Sequence, residues 1–144
     1  GKSLQAIVAP SRCFDATLGN RFPLKILLVD DVKVNRKVAL SFLEKLGFRD
    51  VAVAEDGLQA VKAAATAPFD LVLMDIHMPV MDGYEATRQI RQLGANRRAR
   101  IVAMTADAMT HHRFHALRSG MDDFVTKPVR IDELTRVLER WARL

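Results

Sequence analysis

The chain has 144 residues, 49% of them apolar and 27% charged, which suits one globular domain rather than a disordered segment. No apolar run approaches the ~20 residues of a membrane span, Ala6 to Ala9 is too short for the core of a signal peptide, and the single cysteine, Cys13, excludes an internal disulfide and suits a reducing cytosol. The formal charge is +5, of which residues 1–23 supply +2 (Lys2, Arg12 and Arg21 against Asp15), leaving an excess too mild to point to a nucleic-acid partner.

Residues 1–23 show no sustained period and carry Pro10, Ser11, Gly19, Asn20 and Pro23. They read as a linker or N-terminal extension, the alternative being an arm packed on the domain. From Leu24 strands and helices alternate. Lys25 to Val29 is a buried strand ending at Asp30-Asp31. The helix after it repeats Val34, Val38, Phe42 and Leu46 at four-residue steps, predicting that face to turn inward, and Gly47 stops it. Val51 to Ala54 is a short strand. Asp56-Gly57 turns into an alanine-rich helix over about 58–66, closed by Pro68. The strand over 70–75 delivers Asp75, and a Met-Pro turn and Asp82-Gly83 follow. The next helix carries Ala86, Ile90 and Leu93 inward, and a polar loop spans Gly94 to Arg98. Ile101 to Met104 is a strand ending at Thr105. A weaker helix over about 110–118 stops at Gly120. Phe124 to Thr126 is the last strand, ending at Lys127-Pro128. The final helix holds Ile131, Leu134, Leu138 and Trp141 on one face.

Strict alternation of this kind implies an α/β fold, a parallel sheet with helices on both faces and right-handed crossovers. In such a sheet the C-terminal ends of all strands share one edge, where ligands bind. Asp30-Asp31, Asp75, Thr105 and Lys127 therefore converge there. Taken singly, each has a bland reading: a helix cap, a turn former, a strand-end threonine, a solvated lysine. Placed together at four strand ends, they make a chemical set.

Three clustered carboxylates raise one another's pKa unless a cation intervenes. Mg²⁺ suits one or two carboxylates with waters and phosphate oxygens; Mn²⁺ is the second choice. Asp31 and Asp75 are the expected direct ligands, with the backbone carbonyl of His77, and Asp30 acts through water. A carboxylate forms an acyl phosphate when the transferring group is held in line. Lys127 and the cation would neutralise the phosphoryl oxygens, and the Thr105 hydroxyl would donate a hydrogen bond to one of them. Pro128, directly after Lys127, is a candidate cis-proline.

At these residues the chain resembles the receiver domains of response regulators, over about 24–144. The resemblance rests on Asp30-Asp31, on Asp75 in LMDIHMPVMDG, on Thr105 in VAMTA and on Lys127-Pro128 in DDFVTKPV. It implies a flavodoxin-like fold with strand order 2-1-3-4-5 and a phosphoacceptor switch in a two-component phosphorelay, not an enzyme in its own right. Asp75 would take a phosphoryl group from a phosphohistidine, supplied by a histidine kinase domain or a histidine phosphotransfer protein. Thr105 would swing toward that group and Phe124 turn inward, changing the face made by the fourth helix, the fifth strand and the fifth helix. Phe124 stands where many members carry tyrosine, so a role needing a phenolic hydroxyl is not implied. His77 and Asp107, each two residues past a site residue, would tune the lifetime of the acyl phosphate. MDIHMPVMDGYEATRQIR and GMDDFVTKP resemble receivers fused to hybrid sensor kinases, which implies a cytoplasmic setting, free or as the cytosolic part of a membrane-bound sensor kinase, with no membrane contact by this domain.

Other readings are weaker. A single-domain response regulator would look the same over this length. A haloacid-dehalogenase-type phosphatase needs a second acid two residues after the nucleophile, where His77 stands. A nucleotide-binding fold needs a glycine-rich turn after the first strand, and Asp30-Asp31-Val32-Lys33 has no glycine. His111 and His115 have helical ligand spacing but no third partner, so an exposed helix start is the better reading.

Overall fold

Neighbouring residues of a strand point to opposite faces, so a strand apolar throughout must be covered on both sides. The computed structural model, which describes residues 15–106 and 115–142, meets that requirement with a five-stranded parallel sheet in the order β2-β1-β3-β4-β5. Its strands are β1 (Ile26–Val29), β2 (Val51–Ala54), β3 (Leu71–Asp75), β4 (Arg100–Thr105) and β5 (Asp123–Thr126). The helices are α1 (Lys33–Lys45), α2 (Gly57–Thr66), α3 (Gly83–Arg91), α4, described over 115–118, and α5 (Ile131–Ala142). The order and the doubly wound arrangement are those expected of a flavodoxin-like fold.

The alternation along each strand divides the core in two. Leu27, Val29, Val72, Met74, Ile101 and Ala103 face one side, packed against Ala60 and Ala64 of α2, Ala86 and Ile90 of α3 and Ala116 of α4. Ile26, Leu28, Leu71, Leu73, Val102 and Met104 face the other, packed against Ala39 and Leu43 of α1 and Leu134, Val137 and Leu138 of α5.

Two expectations change. In α1 the inward residues are Ala39 and Leu43, followed by Leu46 at its C-cap; Val34 and Val38 are exposed and Phe42 is half-buried. A four-residue step overshoots a full turn by about 40°, so three such steps carry Val34 roughly 120° away from Leu46. The repeated apolar step thus spirals off the core and leaves valines on the rim beside Asp31. The second change concerns the segment before Leu24, whose first 14 residues lie outside the described ones. Residues 15–23 are not a free linker. A single helical turn, Leu18–Arg21, buries Leu18 completely in the α1/α5 side of the core. Gly19 donates its N–H to the Leu46 carbonyl at 2.7 Å, and any Cβ there would overlap the Gly47 backbone. The packed unit therefore begins at or before Asp15.

The loop expected over 94–98 also contributes to the core. A 3-10 turn, Gly94–Asn96, buries Asn96, whose side chain accepts from the Phe69 N–H at 2.7 Å and donates to the carbonyls of Ala64 and Ala67. That one amide closes the C-terminus of α2, whose last carbonyls have no partner within the helix.

Candidate functional site

Each site residue is placed by the strand that ends at it. Asp30 follows β1, and its N–H donates to the Ala54 carbonyl at 3.2 Å. Asp75 closes β3, opposite Met104 of β4. Thr105 closes β4 opposite Thr126, and Lys127 follows β5 with its N–H on the Thr105 carbonyl at 2.8 Å. The Lys127-Pro128 peptide is cis. The loop after Asp75 is pressed onto the strand end: Gly83 donates its N–H to the Ile76 carbonyl at 2.8 Å, and a Cβ at Gly83 would overlap the Asp75 carbonyl oxygen. Val80 in that loop has a φ of 71°, a left-handed conformation unfavourable for a β-branched residue, and Met81 donates to the Pro79 carbonyl at 2.7 Å.

The result is a tight carboxylate cluster with one ammonium. Carboxylate oxygens of Asp30, Asp31 and Asp75 lie within 4.8 Å of one another, Asp30 and Asp75 buried and Asp31 exposed. Lys127 Nζ sits 2.9 Å from Asp75 Oδ1 and 3.2 Å from Asp30 Oδ2. Asp30 is further committed, since its Oδ1 accepts from the Val32 N–H at 2.9 Å and its carbonyl accepts from Arg36 at 2.9 Å. Asp75 Oδ2, by contrast, is buried and has no hydrogen-bond partner.

Burial raises the pKa of Asp75 to about 6; Lys127 opposes the shift, while the Asp30 charge and the neighbouring Asp31 carboxyl add to it. Burial also works against the Lys127 ammonium, but Asp75 and Asp30 outweigh it and hold its pKa above the ordinary lysine value. The set thus carries more negative charge than its one cation can balance. A hard divalent ion fits this donor set, with Asp31 on the solvent side and the unpartnered Asp75 Oδ2 inside.

The structure brings together Asp30, Asp31, Asp75 and Lys127, with Thr105 buried at the neighbouring strand end. His77 lies in the loop directly beyond Ile76 with an exposed side chain, and Phe124 is half-buried on β5, against the α2/α3/α4 side of the core. Asp107, His111 and His112 lie outside the described residues. Among the described residues His115 joins no ligand cluster; it stacks on Tyr84. Two contributors escaped the sequence reading. Gly83 was visible only as a turn former, and the contact of Arg36 with the Asp30 carbonyl left no signal in the sequence.

The family model described as response regulator receiver domain matches residues 26–139. The chain is 40% identical over 149 residues to the sensor histidine kinase GacS of Pseudomonas protegens, an alignment that covers 99% of this chain and 16% of that protein. The chain thus spans about one sixth of the length of that relative. Among solved structures, it resembles the receiver domain of a sensor histidine kinase from Pseudomonas aeruginosa, determined with a magnesium ion coordinated in the active-site cleft; identity is 44%, the TM-score is 0.78, and 84% of this chain and 98% of that one are covered. It also resembles, at 30% identity and a TM-score of 0.76 over 82% of this chain and 88% of that one, a co-crystal structure from Saccharomyces cerevisiae. That complex joins the histidine phosphotransfer protein Ypd1 to the receiver domain of its downstream response regulator Ssk1.

Proposed function

The chain belongs to the response regulator receiver family of two-component systems, and from that premise we propose that Asp75 is its phosphoacceptor. The haloacid-dehalogenase alternative has no support beside this membership. One observation carries the proposal: in a site crowded with acids, Asp75 alone keeps a buried carboxylate oxygen without a partner, while its other oxygen is held by Lys127. The Asp75 carboxylate is the nucleophile. It forms an O–P bond as the N–P bond of a phosphohistidine breaks, and the imidazole leaves with the bonding electron pair.

Asp31 and Asp75 hold Mg²⁺, with the His77 carbonyl and with Asp30 through water, and Mn²⁺ can replace it. The bound ion neutralises charge on the phosphoryl oxygens. Lys127, already 2.9 Å from Asp75, supplies the positive charge on the side of β5. The Thr105 hydroxyl donates to a phosphoryl oxygen once the group arrives. Movement of Thr105 and Phe124 then alters the face of α4, β5 and α5. His77 and Asp107 set how long the acyl phosphate lasts; a double alanine variant that loses its phosphoryl group at the wild-type rate would exclude that role.

The donor is a histidine kinase domain or a histidine phosphotransfer protein. The exposed valines 32, 34 and 38 on the rim beside Asp31 suit an apolar docking surface for such a partner. Among the described residues, no helix is long and apolar enough to cross a membrane. We place the domain in the cytoplasm, as the receiver part of a hybrid sensor kinase, with a signalling rather than an independent enzymatic role.

The test is incubation with acetyl phosphate and Mg²⁺ followed by intact mass. One phosphoryl adduct is expected on the wild type and none on Asp75→Asn. An adduct that survives the Asp75→Asn substitution overturns the assignment.

A further inference from the structure

Apart from the acceptor carboxylate, two buried side-chain atoms among the described residues have no hydrogen-bond partner: Tyr84 Oη and Thr87 Oγ1. They stand three residues apart in α3, so they share one face of it. That face meets α4 and the turn after it. The Tyr84 ring stacks on His115 with centroids 3.9 Å apart and planes 1° from parallel, and the Thr87 methyl lies 3.7 Å from where a side chain at Gly120 would begin.

The two ends of this seam are built differently. At the C-terminal end of α3, Arg91 donates to the Gly120 carbonyl at 2.9 and 2.7 Å and pairs with Asp122 at 2.7 Å, while Arg88 reaches Ser119 Oγ at 3.4 Å. At the N-terminal end the described residues show the ring stack, with the unmet Tyr84 hydroxyl beside it and that of Thr87 one turn on. This end is also the one joined to the chemistry. Gly83, next to Tyr84, lies against the Asp75 backbone, and His115 belongs to the segment that follows Thr105. A buried hydroxyl without a partner carries a desolvation cost that this arrangement does not offset. Such a cost favours a competing arrangement close in free energy.

We propose that Tyr84 and His115 are positioning residues for phosphoryl transfer: their stack latches α4 to the acceptor loop in the unphosphorylated protein and opens, about the end pinned by Arg91, when Asp75 is phosphorylated. This rests on the reading of Asp75 as phosphoacceptor. Neither ring touches the phosphoryl group. Both act through Gly83 and the acceptor's backbone, so loosening the stack lowers the free energy needed to reach the phosphorylated arrangement.

The test follows adduct formation with acetyl phosphate and Mg²⁺ by intact mass in the wild type, His115→Ala, His115→Phe and Tyr84→Phe, with a thermal melt of each. His115→Ala is expected to react about threefold faster or more, and His115→Phe, which keeps a ring to stack, within about twofold of the wild type. Tyr84→Phe keeps the stack and removes the unmet hydroxyl, so it is expected to melt higher and react no faster. A lower melting temperature of His115→Ala with an unchanged or slower rate is the signature of a merely structural contact and overturns the proposal. So does an equal acceleration in His115→Phe. Since His115 is exposed, its truncation leaves the core closed; should His115→Ala fail to fold, His115→Asn is read by the same criteria. If the wild type takes no phosphoryl group, the reading of Asp75 fails instead. The latch is then judged by amide exchange over 115–119, where rates in His115→Ala equal to the wild type's overturn it.

Discussion

The two edges of the sheet use the same side chains to opposite effect. Where the strands begin, Asp122 accepts from the Ile101 N–H at 2.8 Å and pairs with Arg91 and Arg100 at 2.7 and 3.6 Å. Asp70 accepts from the Lys25 N–H at 2.8 Å, and Asn96 fills its hydrogen bonds with three backbone groups of the segment after α2 and its last turn. Where the strands end, three carboxylates cluster, one lysine pairs with two of them, and a buried oxygen of Asp75 is left over. The first edge spends its polar groups on closing the fold. The second keeps capacity in reserve, and reserve capacity in a buried site is what a ligand or a transferred group can use.

The contrast breaks most sharply at Asp75. Asp75→Asn is expected to abolish the phosphoryl adduct completely, and without a cation to raise stability by about 1–2 kcal/mol, because a buried, raised-pKa carboxylate is removed. Mass spectrometry reads the first and a chemical melt the second; a large loss of stability would place Asp75 with the structural acids instead. The counterpart at the other edge is Asn96→Ala. It deletes hydrogen bonds to one buried N–H and two carbonyls, so a loss of about 2–3 kcal/mol is expected with the rate of adduct formation unchanged.

pH separates the edges further. Asp75 has a folded pKa of about 6 against an ordinary aspartate value of 3.8. Between those values the folded state binds the extra proton, so this contribution to stability is fully present at low pH and is lost as pH rises through about 6. The expected loss is on the order of 2–3 kcal/mol without a divalent ion. Asp75→Asn should flatten that part of the profile, and a wild-type profile identical to that of the variant between pH 4 and 6 would contradict the assignment of the shift to Asp75.

The cation itself gives a further comparison. At one hundred times its dissociation constant, Mg²⁺ should stabilise the wild type by about 2.7 kcal/mol if it binds only the folded state, and Asp31→Ala or Asp75→Asn much less. Equal stabilisation of all three would move the ion away from this cluster.

Much of the molecule could be read from the sequence because its strands are apolar throughout. Ile26 to Val29 and Leu71 to Met74 have no polar face, so they must lie inside a covered sheet, and the acids that end them mark its edge. The convergence of Asp30, Asp31, Asp75, Thr105 and Lys127 follows from parallel topology alone. The failures share a cause. Val34 and Val38 looked inward because their spacing is helical, yet the phase of α1 is set by where Ala39 and Leu43 meet the sheet. Leu18 looked like part of a linker because a single buried leucine has no period to announce it. Asn96, Tyr84 and Arg91 gave no warning, since their partners stand far away in the chain.

By itself, then, the sequence determined the alternation, the sheet and the set of groups delivered to its edge, because apolar runs and strand ends are local properties of the chain. Only the tertiary structure decided which of those groups is already satisfied. Asp30 and Asp75 are the same residue at equivalent strand ends. Asp30 is tied by the Val32 N–H, Lys127 and Arg36, while Asp75 keeps one buried oxygen without a hydrogen bond. The chemistry of a carboxylate depends on what surrounds it, and those surroundings exist only once distant segments have packed.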